Sequence, residues 1–190
     1  MSKDYLSCLK SLSGKFAKQN NIFDIVVYGS YMRAKESPND IDVVIIFTDS
    51  KLDYLLKSAH AFKELIKKII PNPDVKAVNL SELFNPNFLA AQGIFAEGYS
   101  LLSSKPFCAK IGYKGYIIFT YSLKKLNHNK KTLFTYALIG RKKEGMTRIV
   151  SARPLGKGAV AVPIENSSIF EEFLKEWNVD YKKTKTLMAT

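Results

Sequence analysis

Apolar residues recur along this chain in two periods, and the switches between them mark its elements. Residues 3–19 carry Tyr5, Leu9, Leu12 and Phe16 at helical spacing, and Asn20-Asn21 closes that helix. Ile25-Val26-Val27-Tyr28 is a strand, and Ile41–Phe47 is a second one, apolar almost throughout. Thr48-Asp49-Ser50 is a helix-start cluster. Leu55, Ala59, Phe62, Ile66 and Ile69 then form one apolar stripe of a long helix, which Pro71 and Pro73 stop. Val75–Leu80 is a third strand, Ser81-Glu82-Leu83 opens short helical segments, and Gly98–Leu102 closes the region. Parallel strands joined through a helix are expected to cross over right-handed.

Ser103-Ser104-Lys105-Pro106 is the expected boundary, dividing the chain into 1–105 and 106–190. Beyond it Tyr113–Tyr121 is β-rich, with sheet core the commoner fate of its aromatics and base stacking the other. Lys130–Ile139 is helical, with Leu133, Phe134, Ala137 and Leu138 on one side and Gly140 as C-cap. Arg141-Lys142-Lys143-Glu144-Gly145 and Arg153–Gly158 are basic loops. Ala159–Ile164 is a strand, and Ser168–Glu171 is a capping box opening a helix. Ile169, Phe170, Phe173, Leu174 and Trp177 are that helix's buried stripe, and Val179–Leu187 is the last strand. The expected fold class is α+β: a small mixed sheet flanked by helices, then a second small basic α+β domain.

The candidate chemistry sits between the first two strands. Asp40 and Asp42 alternate with Ile41 and Val43, so the two carboxylates share one strand face. Adjacent carboxylates repel, and a divalent cation with oxygen ligands, Mg²⁺ or Mn²⁺, relieves the conflict. Gly29-Ser30 lies at a strand-to-helix turn, where a phosphate can approach the backbone and Ser30 can cap the helix or bond a phosphate oxygen. Arg33, about one helical turn on, is in reach of a triphosphate, with Lys35 a weaker candidate.

Gly29-Ser30, then Asp40-Ile41-Asp42 heading an apolar strand, resembles the signature of the polymerase-β-like nucleotidyltransferase superfamily, above all its minimal members. Val75–Phe84 and Ile94–Leu102 are similar to that family's third strand and closing helix, so the resemblance covers about the first 105 residues. It implies a nucleotidyltransferase fold, an NTP substrate, metal at Asp40 and Asp42, nucleotide binding by Gly29, Ser30 and Arg33, and nucleotide transfer to an acceptor hydroxyl. The family's third carboxylate position matches Lys76 here. Asp74 stands two residues earlier and is the candidate substitute. A strand reaching back would bring it to the same face, whereas the turn chemistry of Pro71-Asn72-Pro73-Asp74 favours a loop.

Composition narrows the partners. A hydrophobic fraction of 46% supports a packed core. No apolar run approaches a membrane span and the N-terminus has no signal-peptide core, so a cytoplasmic protein without a membrane partner is expected. Cys8 and Cys108 stand apart, and His60 and His128 are isolated, which points away from disulfide or zinc chemistry. The net charge of +12 is uneven: residues 1–105 hold 13 Lys and Arg against 11 Asp and Glu, residues 106–190 hold 16 against 6. A polyanionic partner, RNA or DNA, follows as the expectation, with Arg141, Lys142, Lys143, Arg153, Lys157, Lys182 and Lys183 as candidate contacts. The alternative is a catalytically inactive domain of this fold that binds nucleic acid or a partner protein, in an antitoxin-like or regulatory role; Lys76 is the feature that supports it.

Overall fold

A computed structural model describes residues 3–29, 41–70, 72–141 and 143–190. The chain divides into two compact units, Met1–Gly112 and Tyr113–Thr190. Both are α+β.

The first unit is built on a five-stranded mixed sheet in the order β3-β2-β1-β4-β5. Its strands are β1 (Ile22–Tyr28), β2 (Ile41–Phe47), β3 (Pro73–Asn79), β4 (Tyr99–Ser100) and β5 (Lys105–Pro106). Only β2 and β3 run parallel. The alternation of β2 explains its double burial. Val43, Ile45 and Phe47 pack with Leu9 of α1 (Lys3–Gln19) and with Leu55, Phe62 and Ile66 of α2 (Leu52–Ile66). Val44 and Ile46 face the other way, onto Leu83 and onto Ile94 of α3 (Ala90–Glu97).

Several boundaries differ from expectation. No side chain of Thr48-Asp49-Ser50 caps α2; its N-cap is Lys51, and the Ser50 carbonyl instead accepts from Asn79 Nδ2 at 3.0 Å. That helix ends at Ile66, before the prolines, as its last turn tightens with Ile69 N donating to the Ile66 carbonyl. Gly98 is extended, so the segment read as a closing helix finishes as the short strand β4. Asp74 is not in a loop. β3 starts at Pro73, a residue tolerated there because it opens an edge strand.

The first unit runs past Pro106 because a buried charge holds it there. Asp24 is fully buried on β1; its Oδ1 accepts from Ile25 N and Ser100 Oγ, both at 2.8 Å. Its Oδ2 is ion-paired with Lys110 Nζ at 2.7 Å. Lys110 lies in the 3₁₀ turn Phe107–Ile111, whose Phe107 is buried beside Ile94 and Val26.

The second unit follows a β-α-β-β-α-β path with one extra helical turn. Its elements are β6 (Tyr113–Ser122), α4 (His128–Ile139), α5 (Met146–Ile149), β7 (Arg153–Gly156), β8 (Ala159–Pro163), α6 (Ser167–Glu176) and β9 (Asp180–Ala189). The sheet order β7-β8-β6-β9, antiparallel throughout, is that of a ferredoxin-like split βαβ fold. Both long helices cover one face: Phe119 meets Phe170 of α6 with ring centroids 5.0 Å apart, and Tyr121 meets Phe134 of α4 at 5.7 Å. Trp177 is half-buried at the end of α6, edge-on to Phe134 at 5.6 Å.

Here too some side chains depart from the sequence pattern. Leu133 and Ile169 are exposed, at 56% and 47%, not buried with their helical neighbours. Ser168 forms no capping box: α6 opens one residue earlier, and Ser167 Oγ donates to the Ile164 carbonyl. Arg153–Gly156 is not a flexible loop but a strand paired with β8, leaving only Lys157-Gly158 as the turn.

Candidate active site

Three strands deliver polar side chains to one end of the first sheet. In the β1–β2 register Tyr28 stands opposite Asp42, and in the β2–β3 register Asp42 stands opposite Asp74. Laterally paired residues project to the same face of a sheet. Tyr28, Asp42 and Asp74 therefore form one row, on the face that carries Val44, Ile46 and α3. The next row inward is Val26, Val44 and Lys76, because Val44 is the partner of Lys76.

The chain leaves this row through Gly29, at a φ of +79°. That conformation favours glycine, and a side chain there would run into the Asp42 carboxylate. The turn thus brings bare backbone against the Asp42 carboxylate, with no room for a Cβ between them.

The electrostatics follow from the row. The Tyr28 hydroxyl is pushed up to about 12, chiefly by burial and then by the negative charges of Asp42 and Asp74. Its ring is 8% exposed, so the phenol reports the field from inside the core. Asp74 is half-exposed, and Lys76 Nζ lies 3.5 Å from its Oδ2. Hard oxygen donors beside the left-handed backbone of Gly29 suit a divalent cation such as Mg²⁺. Asp40, Ser30 and Arg33 lie outside the described residues. Among the described residues no group of three or more His, Cys, Asp and Glu side chains stands together as a metal site.

Among the described residues the candidate polyanion contacts do not gather in one patch. Arg141 stacks over Tyr136 at 4.8 Å, and Lys143 sits in the loop closed by the Gly140–Glu144 bridge. Lys142 is outside the described residues. Lys183, opposite Phe119 in the register, is on the helix-bearing face and binds Glu171 Oε2 at 2.8 Å. Lys182, opposite Thr120, and Arg153, opposite Ala161, project from the other face. Arg153 lies over the Tyr116 ring at 5.3 Å. Lys157 is in the β7–β8 turn.

Sequence reading missed the Asp24–Ser100–Lys110 cluster. A lone aspartate at the start of an apolar strand was its only signal, and the partners lie far along the chain. No described helix is long and apolar enough to cross a membrane.

Three solved structures are similar to about half of the chain, each at a low score. A tri-AMPylated Shewanella oneidensis HEPN toxin in complex with MNT antitoxin is 17% identical with a TM-score of 0.36, over 50% of this chain and 71% of that one. A toxin–antitoxin with AMP-PNP is 20% identical with a TM-score of 0.37, over 48% and 71%. A mutant of the toxin–antitoxin MntA-HpeT is 18% identical with a TM-score of 0.37, over 48% and 71%. No curated protein matches the chain. One family model does match, over residues 3–145, which takes in the whole described first unit together with β6, α4 and the loop after it. The chain therefore belongs to that family, described as a family of unknown function (DUF6932).

Proposed function

We propose that this protein is a metal-dependent nucleotidyltransferase, moving a nucleoside monophosphate from an NTP to an acceptor hydroxyl. The observation that carries the reading is the pairing of Asp42 with Asp74 across β2 and β3, next to the left-handed turn at Gly29. Lys76 holds the position matched to the family's third acid, and Asp74, one row outward on the same face, takes that acid's part.

In this reading Asp42 and Asp74, with Asp40, hold Mg²⁺ or Mn²⁺, and Gly29, Ser30 and Arg33 receive the β- and γ-phosphates. The cation supplies charge neutralisation to the triphosphate and to the departing oxygens. The acceptor oxygen forms a bond to the α-phosphorus while the bond to the bridging oxygen breaks. Pyrophosphate leaves with the electron pair, and the acceptor's proton passes to Asp74 or to water. The Tyr28 phenol, raised to about 12, stays neutral beside the carboxylates and takes no part as a base.

The acceptor in this reading is RNA or DNA, attracted by the second unit, whose residues 113–190 carry 15 Lys and Arg against 6 Asp and Glu. The scatter of these cations over both sheet faces favours salt-sensitive contact with little sequence preference. A second reading keeps the fold and drops the chemistry. The Lys76–Asp74 ion pair favours it, since a resident ammonium competes with a metal for that carboxylate.

The test is transfer from each α-labelled NTP to total RNA, to DNA and to protein, with Asp42→Asn and Asp74→Asn alongside. Label entering one acceptor pool, and lost in both variants, is the expected result. Absence of transfer, with nucleotide binding unchanged in both variants, selects the inactive reading.

A further inference from the structure

The α4–α5 segment of the second unit exposes apolar side chains that its own core does not use. In α4 only Phe134 and Leu138 are buried. Leu133 is 56% exposed, Tyr136 39% and Ile139 65%. These three recur at three-residue steps and therefore run along one side of the helix, away from Phe134. α5 is tied to the end of α4, with Thr147 Oγ1 donating to the Leu138 carbonyl at 3.0 Å, and it exposes Ile149 at 56%. Helices of a soluble unit normally turn such a stripe inward.

The segment is held in shape. Gly140 has a φ of +94°, and a Cβ on it would stand 2.6 Å from the Lys143 carbonyl oxygen. A side chain on Gly145 would run into the backbone of Ile139 and Gly140. The two glycines let the strands of the loop cross at backbone contact, closed by the Gly140–Glu144 bridge. Arg141 is thereby set over the Tyr136 ring at 4.8 Å. Basic residues stand at both ends of the apolar strip: Lys130, one turn before Leu133, and Arg141 and Lys143 after α4, all exposed, while the exposed Glu144 is paired with Arg148.

We propose that this strip is the docking surface for an acidic amphipathic helix of a partner protein. Charge selects the occupant. A second copy of the chain would bring like charges together at both ends of the strip. A nucleic acid gains nothing from Leu133, Ile139 and Ile149. A flat anionic membrane fits less well, because the exposed side of α6, the other helix on this face of the sheet, carries Glu172 and Glu176. A helix with apolar residues at three- and four-residue steps and Glu or Asp beside them matches both the strip and its rim. α4, at about 18 Å for twelve residues, offers room for about three turns of such a partner. This surface is independent of the transfer chemistry at Asp42 and Asp74.

The full-length chain is titrated with a labelled helical peptide of Leu at helical steps flanked by Glu. Controls are a scrambled peptide of the same composition, a Lys-for-Glu version, and vesicles of neutral and anionic phospholipid. The variant is Leu133→Asp/Ile139→Asp, two exposed positions, with unchanged thermal unfolding as the check on its fold. Expected is binding of the acidic helix only, weakened about tenfold or more in the variant, with hydrogen-exchange protection confined to α4 and α5. Equal binding of the scrambled peptide, binding of anionic vesicles that the variant loses, or no binding of the acidic helix overturns the proposal.

Discussion

Two tyrosines in this protein stand beside carboxylates, and the settings are opposite in kind. Tyr181 of β9 donates to Glu171 Oε1 at 2.7 Å, and Glu171 also takes Lys183 Nζ at 2.8 Å on Oε2 and lies 3.6 Å from Lys175. Burial pushes the Glu171 carboxyl up, but the hydrogen bonds from Lys183 and Tyr181 and the two lysine charges outweigh it, so it titrates below its usual range. The Tyr181 phenol is pushed up to about 12 by burial and by its bond to Glu171. Tyr28 reaches about 12 as well, but through burial and the charges of two aspartates. In the second unit a carboxylate has been given its cations and acts as a clamp between α6 and β9. In the first, carboxylates are paired across neighbouring strands beside the left-handed backbone of Gly29. The half-exposed Lys76 lies 3.5 Å from Asp74, a looser pairing than the two lysines and the phenol around Glu171, and under the proposed reading that contrast separates a site from a structural clamp.

The sharpest way to break this comparison is to neutralise one carboxylate in each place. Asp42→Asn or Asp74→Asn is expected to lower nucleotide transfer about a thousandfold with little change in melting temperature. Glu171→Gln should leave transfer intact. Equal effects in steady-state transfer assays would erase the distinction.

Asp24 provides the buried control, a carboxylate fully enclosed and already compensated. Lys110→Met leaves that charge unpaired in the core and is expected to cost about 3 kcal/mol in denaturant unfolding, the first unit melting first. A loss below about 0.5 kcal/mol would show that water or another group takes over the lysine's part.

A smaller effect separates glycines. Gly29→Ala meets the Asp42 carboxylate and a left-handed backbone, and should cost about 2 kcal/mol together with nucleotide binding. Gly112→Ala has the same sign of φ, +76°, but open space around it, and should cost about 1 kcal/mol without touching binding. Identical losses would remove the claim that Gly29 is shaped around the carboxylate.

The smallest effect is in pH. Both tyrosines keep their protons in the folded state to about 12, against 10.0 ordinarily. The folded state therefore holds more protons than the unfolded one between those values, and stability present below pH 10 declines as pH rises towards 12. Glu171→Gln should flatten part of that decline by bringing Tyr181 back down, as read by ultraviolet titration of the phenols. The Glu171 carboxyl works in the other direction: its stabilisation is present above the ordinary carboxylate range and is lost as pH falls through its lowered value.

Much of the framework was legible because burial on both faces writes itself into composition. β2 is apolar except for Asp42 near its start, and both faces are covered. β6 and α4 were readable from aromatic density and from Gly140 at the helix end. Asp74 was misread because Pro73 is a turn residue by local preference; only the parallel pairing with β2 makes it an edge-strand start. Leu133 and Ile169 were misassigned because helical spacing tells which residues share a side, not how much of that side is covered. The end of the first unit was hidden for a third reason: Asp24 and Lys110 are 86 residues apart in sequence, and an ion pair at that separation leaves no local pattern.

The central claim is that the Asp42–Asp74 row binds a divalent cation together with a nucleotide. The most direct measurement is Mn²⁺ binding by electron paramagnetic resonance, with and without a non-hydrolysable NTP analogue, for the native chain, Asp42→Asn, Asp74→Asn and Glu171→Gln. The account predicts nucleotide-enhanced Mn²⁺ binding in the native chain and in Glu171→Gln, and its loss in both aspartate variants. Mn²⁺ binding that is absent from the native chain, or that survives in both aspartate variants, would contradict it.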